Sequence, residues 1–200
     1  VSNTVMAGDF NYTVALSDQY KLTGGVRGGM ANLTLDGTDL RLIDVADPIF
    51  GTKMSTGYHF NTGWGIRLTS KQGTYLVISQ PRVLAYDFGV SSGGFKDVPF
   101  VYFQAGTRYK LTEKMDLLPS TLFRVQSGSP LSWDLNVLVN LLSKFDIGAS
   151  YRDKDSIGLQ LGVKANEKMY IGYIYESPVA NSRFLKGGTH EICLRFSFKK

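Results

Sequence analysis

Polar and apolar residues alternate along most of this chain with a period of two. From Phe145 to Arg152 the odd positions are apolar and the even positions are polar or Gly. Ser156 to Lys164 repeats the pattern, with Ile157, Leu159, Leu161 and Val163 opposed to Ser156, Gly158, Gln160, Gly162 and Lys164. His190 to Phe198 sets Ile192, Leu194, Phe196 and Phe198 against Glu191, Cys193, Arg195 and Ser197. Near the start, Phe10, Tyr12, Val14 and Leu16 oppose Asn11, Thr13, Ala15 and Ser17. Successive side chains of a strand point to opposite faces, so the pattern predicts a sheet with one apolar and one polar face. No stretch carries helical spacing. About 11 strands are expected, over 9–17, 21–34, 62–70, 74–82, 98–110, 117–127, 131–142, 145–152, 155–164, 168–177 and 189–198.

The connections sort by length. In an up-and-down order with a periplasmic C-terminus, one side receives Asp18-Gln19, Lys71 to Gly73, Thr112 to Asp116, Ser143-Lys144 and Ala165 to Glu167. The other receives Asp36 to Asn61, Arg82 to Asp97, Ser127 to Pro130, Asp153-Lys154 and Pro178 to Gly188. Short turns on one side and long loops on the other mark outer-membrane barrels. Trp64, Tyr109, Trp133, Tyr151, Tyr175, Phe196 and Phe198 are placed near strand ends, where interfacial aromatic girdles belong. A soluble β-sandwich also alternates its faces, but it has no reason to sort its loops. The expected fold is all-β, an antiparallel up-and-down transmembrane β-barrel formed by residues 1–200 as one outer-membrane domain. An odd strand number, and a first strand that would start near Asp9 on the outer side, lead to the further expectation that N-terminal strands of a larger barrel are missing; the alternative is a strand hidden between Leu40 and Thr52.

Composition narrows the chemistry. One Cys among 200 residues excludes a disulfide framework, and two His leave little for a metal centre. The longest apolar run is far short of the roughly 18 residues of a transmembrane helix. The formal net charge of +5 is mild and its basic residues are scattered, so nucleic acid is not expected as a partner. Gly24-Gly25 and Gly28-Gly29 lack the strand–turn–helix setting and the Lys-Ser/Thr pair of a phosphate loop. His190 falls on the face opposite Ser150 and Asn140, so no triad is expected and the protein is read as a non-enzyme without cofactor. Cys193 reads as a small filler.

The polar face is expected to line the barrel lumen through Arg27, Arg67, Arg108, Arg124, Asp134, Asn136, Asp146, Arg152, Gln160, Glu176, Glu191 and Arg195. Mixed charges there read mainly as a structural ion-pair network, with a polar channel or a cradle for a partner segment as the functional reading. Asp134 and Arg152 are expected to organise it. Leu118-Pro119-Ser120 is read as the structural opening of a strand. The long external loops, with Phe50, Tyr58, Phe60, Tyr86, Phe88 and Phe95, are either a partner surface or a plug folded inward.

The C-terminal half also carries a series of short blocks: Leu118-Pro119-Ser120, Phe123-Arg124, Trp133 to Asn136, Gly148 to Arg152, Asp155 to Ile157, Ile171 to Tyr175 and Gly188 to Ile192. In this order they resemble the C-terminal signature of the PorP/SprF family of the type IX secretion system of Bacteroidota. Asp9 to Leu16, Leu22 to Gly29, Asp47 to Phe50, Gly63 to Gly65 and Leu76 to Pro81 are similar to the family's earlier strands and loops. The resemblance thus covers nearly the whole chain, as the C-terminal two-thirds of the family barrel. Glu176 departs from it, since the family more often has Asp after the Tyr. The resemblance implies an integral outer-membrane component of protein secretion and gliding. It would dock a secreted or surface protein and other secretion subunits, amid outer-membrane lipid. The alternative is a diffusion channel or solute transporter.

Overall fold

The computed structural model describes residues 2–36, 53–55, 57–87, 96–179 and 187–197. Those residues contain strands and no helix. The strands are β1 (Ser2–Ala15), β2 (Tyr20–Asp36), β3 (Lys53–Ser55), β4 (His59–Ser70), β5 (Tyr75–Gln80), β6 (Tyr86–Asp87), β7 (Lys96–Asp97), β8 (Val101–Gly106), β9 (Tyr109–Thr112), β10 (Met115–Val125), β11 (Ser132–Leu141), β12 (Phe145–Arg152), β13 (Ser156–Lys164), β14 (Met169–Pro178) and β15 (Thr189–Phe196). One 13-stranded sheet follows the order β1-β2-β4-β5-β8-β10-β11-β12-β13-β14-β15, with β3 beside β2 and β9 beside β10; β6 and β7 pair separately. Every pairing is antiparallel between neighbours along the path, which is an up-and-down meander. Among the described residues β1 pairs only with β2, and β15 only with β14.

Each expected strand is present, with several bounds moved. β1 and β4 begin earlier than the alternation suggested, because the β1–β2 ladder runs unbroken from Ser2↔Thr34 to Ala15↔Lys21 and β2 carries β4 with it as far as Ala31↔His59. Phe60 is therefore a strand residue opposite Met30, not a loop residue. Pro119 does not open a strand; it lies inside β10, opposite Val137. The segment read as one strand over 98–110 is split into β8 and β9 alongside it. Thr107 donates its N–H to the Pro119 carbonyl at 3.1 Å, but the proline has no N–H to return. Trp64 sits inside β4, not near its end. The region of the hidden strand, 40–52, and Phe198 lie outside the described residues; β3 follows directly after that region.

Two faces emerge from the register, because paired residues share a face. One is apolar: Phe10, Val26, Trp64, Ile66, Leu76, Phe103, Phe123, Leu135, Val137, Ile147, Leu159, Leu161, Ile192 and Leu194 are all exposed on it. Ala31 is the single buried hydrophobic among the described residues, so the sheet does not close over an apolar core. A contiguous run of large exposed apolar side chains across so many strands marks a face that meets a membrane or a partner. β11 to β14 have 8 to 10 residues. At roughly 3.3 Å per residue and a tilt of about 40°, those lengths rise about 20–25 Å, close to the roughly 25 Å apolar band of an outer-membrane barrel.

Candidate functional site

The polar face carries the charged side chains, and they gather in clusters set by the register. The largest stands at the long-loop end of β10 to β14. Asp134 lies opposite Arg152 across β11–β12, and Arg124 is one diagonal step away on β10. Arg124 forks onto Asp134, Nη1 to Oδ1 at 2.9 Å and Nη2 to Oδ2 at 2.5 Å. Arg152 Nε donates to Asp134 Oδ1 at 3.2 Å and its Nη1 to Asp155 Oδ2 at 3.1 Å. Its Nη2 lies 3.7 Å from Glu176 Oε1 on β14. That reach crosses β13, where the buried Ser156 and Gly158 leave room; a Cβ on Gly158 would overlap the Ser150 hydroxyl. Asp134 is 7% exposed. A carboxylate held so far from water needs its charge matched, and two guanidiniums match it.

A second cluster stands at the short-turn end. Asp146 accepts from Asn140 Nδ2 at 2.6 Å and from the Tyr170 hydroxyl at 2.8 Å. The Tyr170 ring crosses Gly162, where a Cβ would overlap its hydroxyl, and Arg195 stacks on the ring at 4.7 Å. Elsewhere on this face Arg27 forks onto Asp9 at 2.6 and 2.9 Å. Arg67 covers the Tyr75 ring at 4.6 Å and donates to Thr69 Oγ1 at 3.1 Å. Arg108 pairs with Asp116, and Gln160 donates to Asn136 Oδ1 at 3.4 Å. Glu191, opposite Ile174 on β15, joins none of these clusters.

The residues expected to line a lumen therefore lie together on one face, in three or more separate groups rather than one. Their partners Asp9, Asp116, Asp155 and Tyr170 were not singled out from the sequence. Asp9, Asp116 and Tyr170 are polar residues in phase with the others, whereas Asp155 lies in the turn between β12 and β13, where alternation assigns no face. Asn61 is not revealed by the alternation either, since it precedes the strand expected over 62–70. It is a buried β4 residue whose amide accepts from the N–H groups of Val83 and Leu84 and donates to the Leu84 carbonyl, at 3.1, 3.2 and 3.0 Å. It pins the chain after β5 to the sheet.

Of the aromatic residues read as an external partner surface, Tyr58 directly precedes β4 and is exposed. Phe60 projects from the apolar face and Tyr86 belongs to β6. Phe50, Phe88 and Phe95 lie outside the described residues. On the apolar face His190 Nδ1 meets the Tyr173 hydroxyl at 2.7 Å, and its ring packs on Tyr175 at 4.9 Å. Ser150 and Asn140 are on the opposite face. The described residues hold no group of three His, Cys, Asp or Glu placed to bind a metal ion, and none of their helices could cross a membrane, since they form none.

Two faces of opposite polarity, a meandering order and charges knitted along one side describe the wall of a membrane barrel. Among curated proteins none matches the chain. The family profile described as type IX secretion system membrane protein PorP/SprF matches residues 1–196, nearly the full length. The chain belongs to the PorP/SprF family of type IX secretion system membrane proteins.

Proposed function

We propose that this protein is a non-enzymatic component of the outer membrane that docks a secreted or cell-surface protein and other subunits of the type IX machinery. Its polar face would line the barrel interior, and the apolar face would meet lipid. β1 and β15 run in the same direction along an eleven-strand path, and among the described residues each has one unpaired edge. A bilayer does not tolerate unpaired strand edges, so an antiparallel closure calls for an odd number of further strands between them.

The observation that carries docking over free diffusion is the lattice of Arg124, Asp134, Arg152 and Glu176. These four polar-face charges neutralise one another across β10 to β14, whereas a wide solute pore would leave them to water and solute. The long-loop end, with Tyr58 and the aromatic loop residues, is the proposed partner surface.

Two measurements test the reading on the protein in outer membranes. Mild detergent extraction followed by affinity isolation should recover type IX subunits or a secreted substrate. Planar-bilayer recording should show little conductance. Large, stable conductance with no secretion subunit recovered would instead establish the diffusion channel.

A further inference from the structure

At the short-turn end of the polar face, β11 to β15 surround a cavity of about 140 Å³. Its charged lining is Lys144, Lys164, Lys168 and Arg195 against Asp146 and Glu167. The two carboxylates are already engaged: Asp146 by Asn140 and Tyr170, and Glu167 by Lys164 at 3.1 Å to both oxygens. Lys144, Lys168 and Arg195 make no ion pair among the described residues. This contrasts with the long-loop end, where Arg124 and Arg152 are both matched by carboxylates. Arg195 lies over the Tyr170 ring, 4.7 Å from its centroid, a contact that leaves its N–H groups unused. A guanidinium placed in this way offers a fork suited to two oxygens of one anion. A concave site with surplus positive charge also concentrates anions.

We propose that this cavity is an anion site that takes a carboxylate or phosphate group, with Arg195 as the fork and Lys168 as the flanking charge; the Lys144 ammonium is turned onto the Phe145 ring at 5.5 Å and takes no part. The volume admits such a group with a few waters, each claiming roughly 30 Å³. The inference requires only that the polar face be reachable by solvent. It stands whether or not secretion subunits co-purify with the protein.

The test uses the full chain folded in zwitterionic micelles, with folding checked by heat-modifiable gel migration. Inorganic phosphate is titrated by calorimetry against chloride at matched ionic strength. Saturable phosphate binding is expected, weakened about tenfold in Arg195→Gln by loss of a charge-assisted fork. Lys168→Gln, in an exposed turn, should weaken it several-fold, and Lys154→Gln at the opposite end should leave it unchanged. Should Arg195→Gln fail to fold, Lys168→Gln carries the test. Binding that does not saturate, that chloride reproduces, or that both cavity variants retain in full overturns the site. Competition then separates the sources. Displacement by an acidic peptide marks a polypeptide carboxylate, displacement by phosphatidylglycerol doped into the micelles marks a lipid headgroup, and displacement by neither marks a free anion.

Discussion

Asp134 illustrates how one side chain on this face differs from another of the same type. Its side chain is 10% exposed and held by two arginines, whereas Asp9 and Arg27 form a geometrically similar fork at 54% and 41% exposure. Asp134→Asn leaves two partly buried guanidiniums short of a counter-charge and should cost about 3 kcal/mol. Asp9→Asn should leave stability near the parent value, because water screens that pair. Folding equilibria of the two variants in lipid vesicles check the contrast, and equal losses would refute it. Gly162 is a different residue-scale constraint, because Tyr170 lies across it to reach Asp146. Gly162→Ala should cost about 1–3 kcal/mol by displacing the ring. Adding Tyr170→Phe should recover part of that loss, since the hydroxyl is what the methyl strikes.

Turn chemistry and strand breaks decide the elements. Between β11 and β12, Leu142 and Ser143 have φ of 56° and 54°, and Lys144 donates its N–H to the Leu141 carbonyl at 2.9 Å. Two consecutive left-handed residues are the requirement of a type I′ turn, which Asn-Gly meets with little strain. A Leu and a Ser there each bear a cost of roughly 1 kcal/mol. Replacing Leu142-Ser143 by Asn-Gly should therefore stabilise the protein by about 1–2 kcal/mol, read from vesicle unfolding in urea. Pro119 is the matching feature on the β8–β9 side of β10. Pro119→Val restores an N–H facing Thr107, so its amide should become strongly protected from hydrogen exchange. An amide that exchanges freely at 119 would show that something other than the missing donor divides β8 from β9.

The whole molecule is decided by which face meets lipid. Leu159 and Gln160 are neighbours in β13 with opposite faces: Leu159 is opposite Ala149 and Tyr175, Gln160 opposite Gly148 and Ile174. Leu159→Arg should lose about 2–4 kcal/mol of folding free energy in vesicles, the cost of a cation near the bilayer midplane. Gln160→Arg should fold nearly as the parent does. A soluble sheet would reverse the sense of the test, because Leu159→Arg would then gain a hydrated surface charge. A strict meander returns alternate connections to the same side, and the connections between β2 and β4, β5 and β8, and β14 and β15, the long ones, all belong to one alternate set.

Much of this architecture was legible in the chain itself. The alternation at 145–152 and 156–164 is a local property, because a strand's period of two is imposed by its own backbone. It marked most of the strands and their two faces, but not the early starts of β1 and β4 or the break between β8 and β9. The register required tertiary structure, since pairing is a relation between strands that no single strand encodes. Register alone set Asp134 against Arg152, allowed Arg152 to reach Glu176 over Gly158, and placed Arg195 on Tyr170 beside the cavity. It also lengthened β1, β2 and β4 beyond their alternating cores, because a Gly-rich strand such as β2 has little side-chain pattern to read and is extended by the partner it pairs with. The sequence by itself determined which residues share a face, and only the tertiary structure decided which of them touch, because alternation orients side chains whereas strand pairing brings them together.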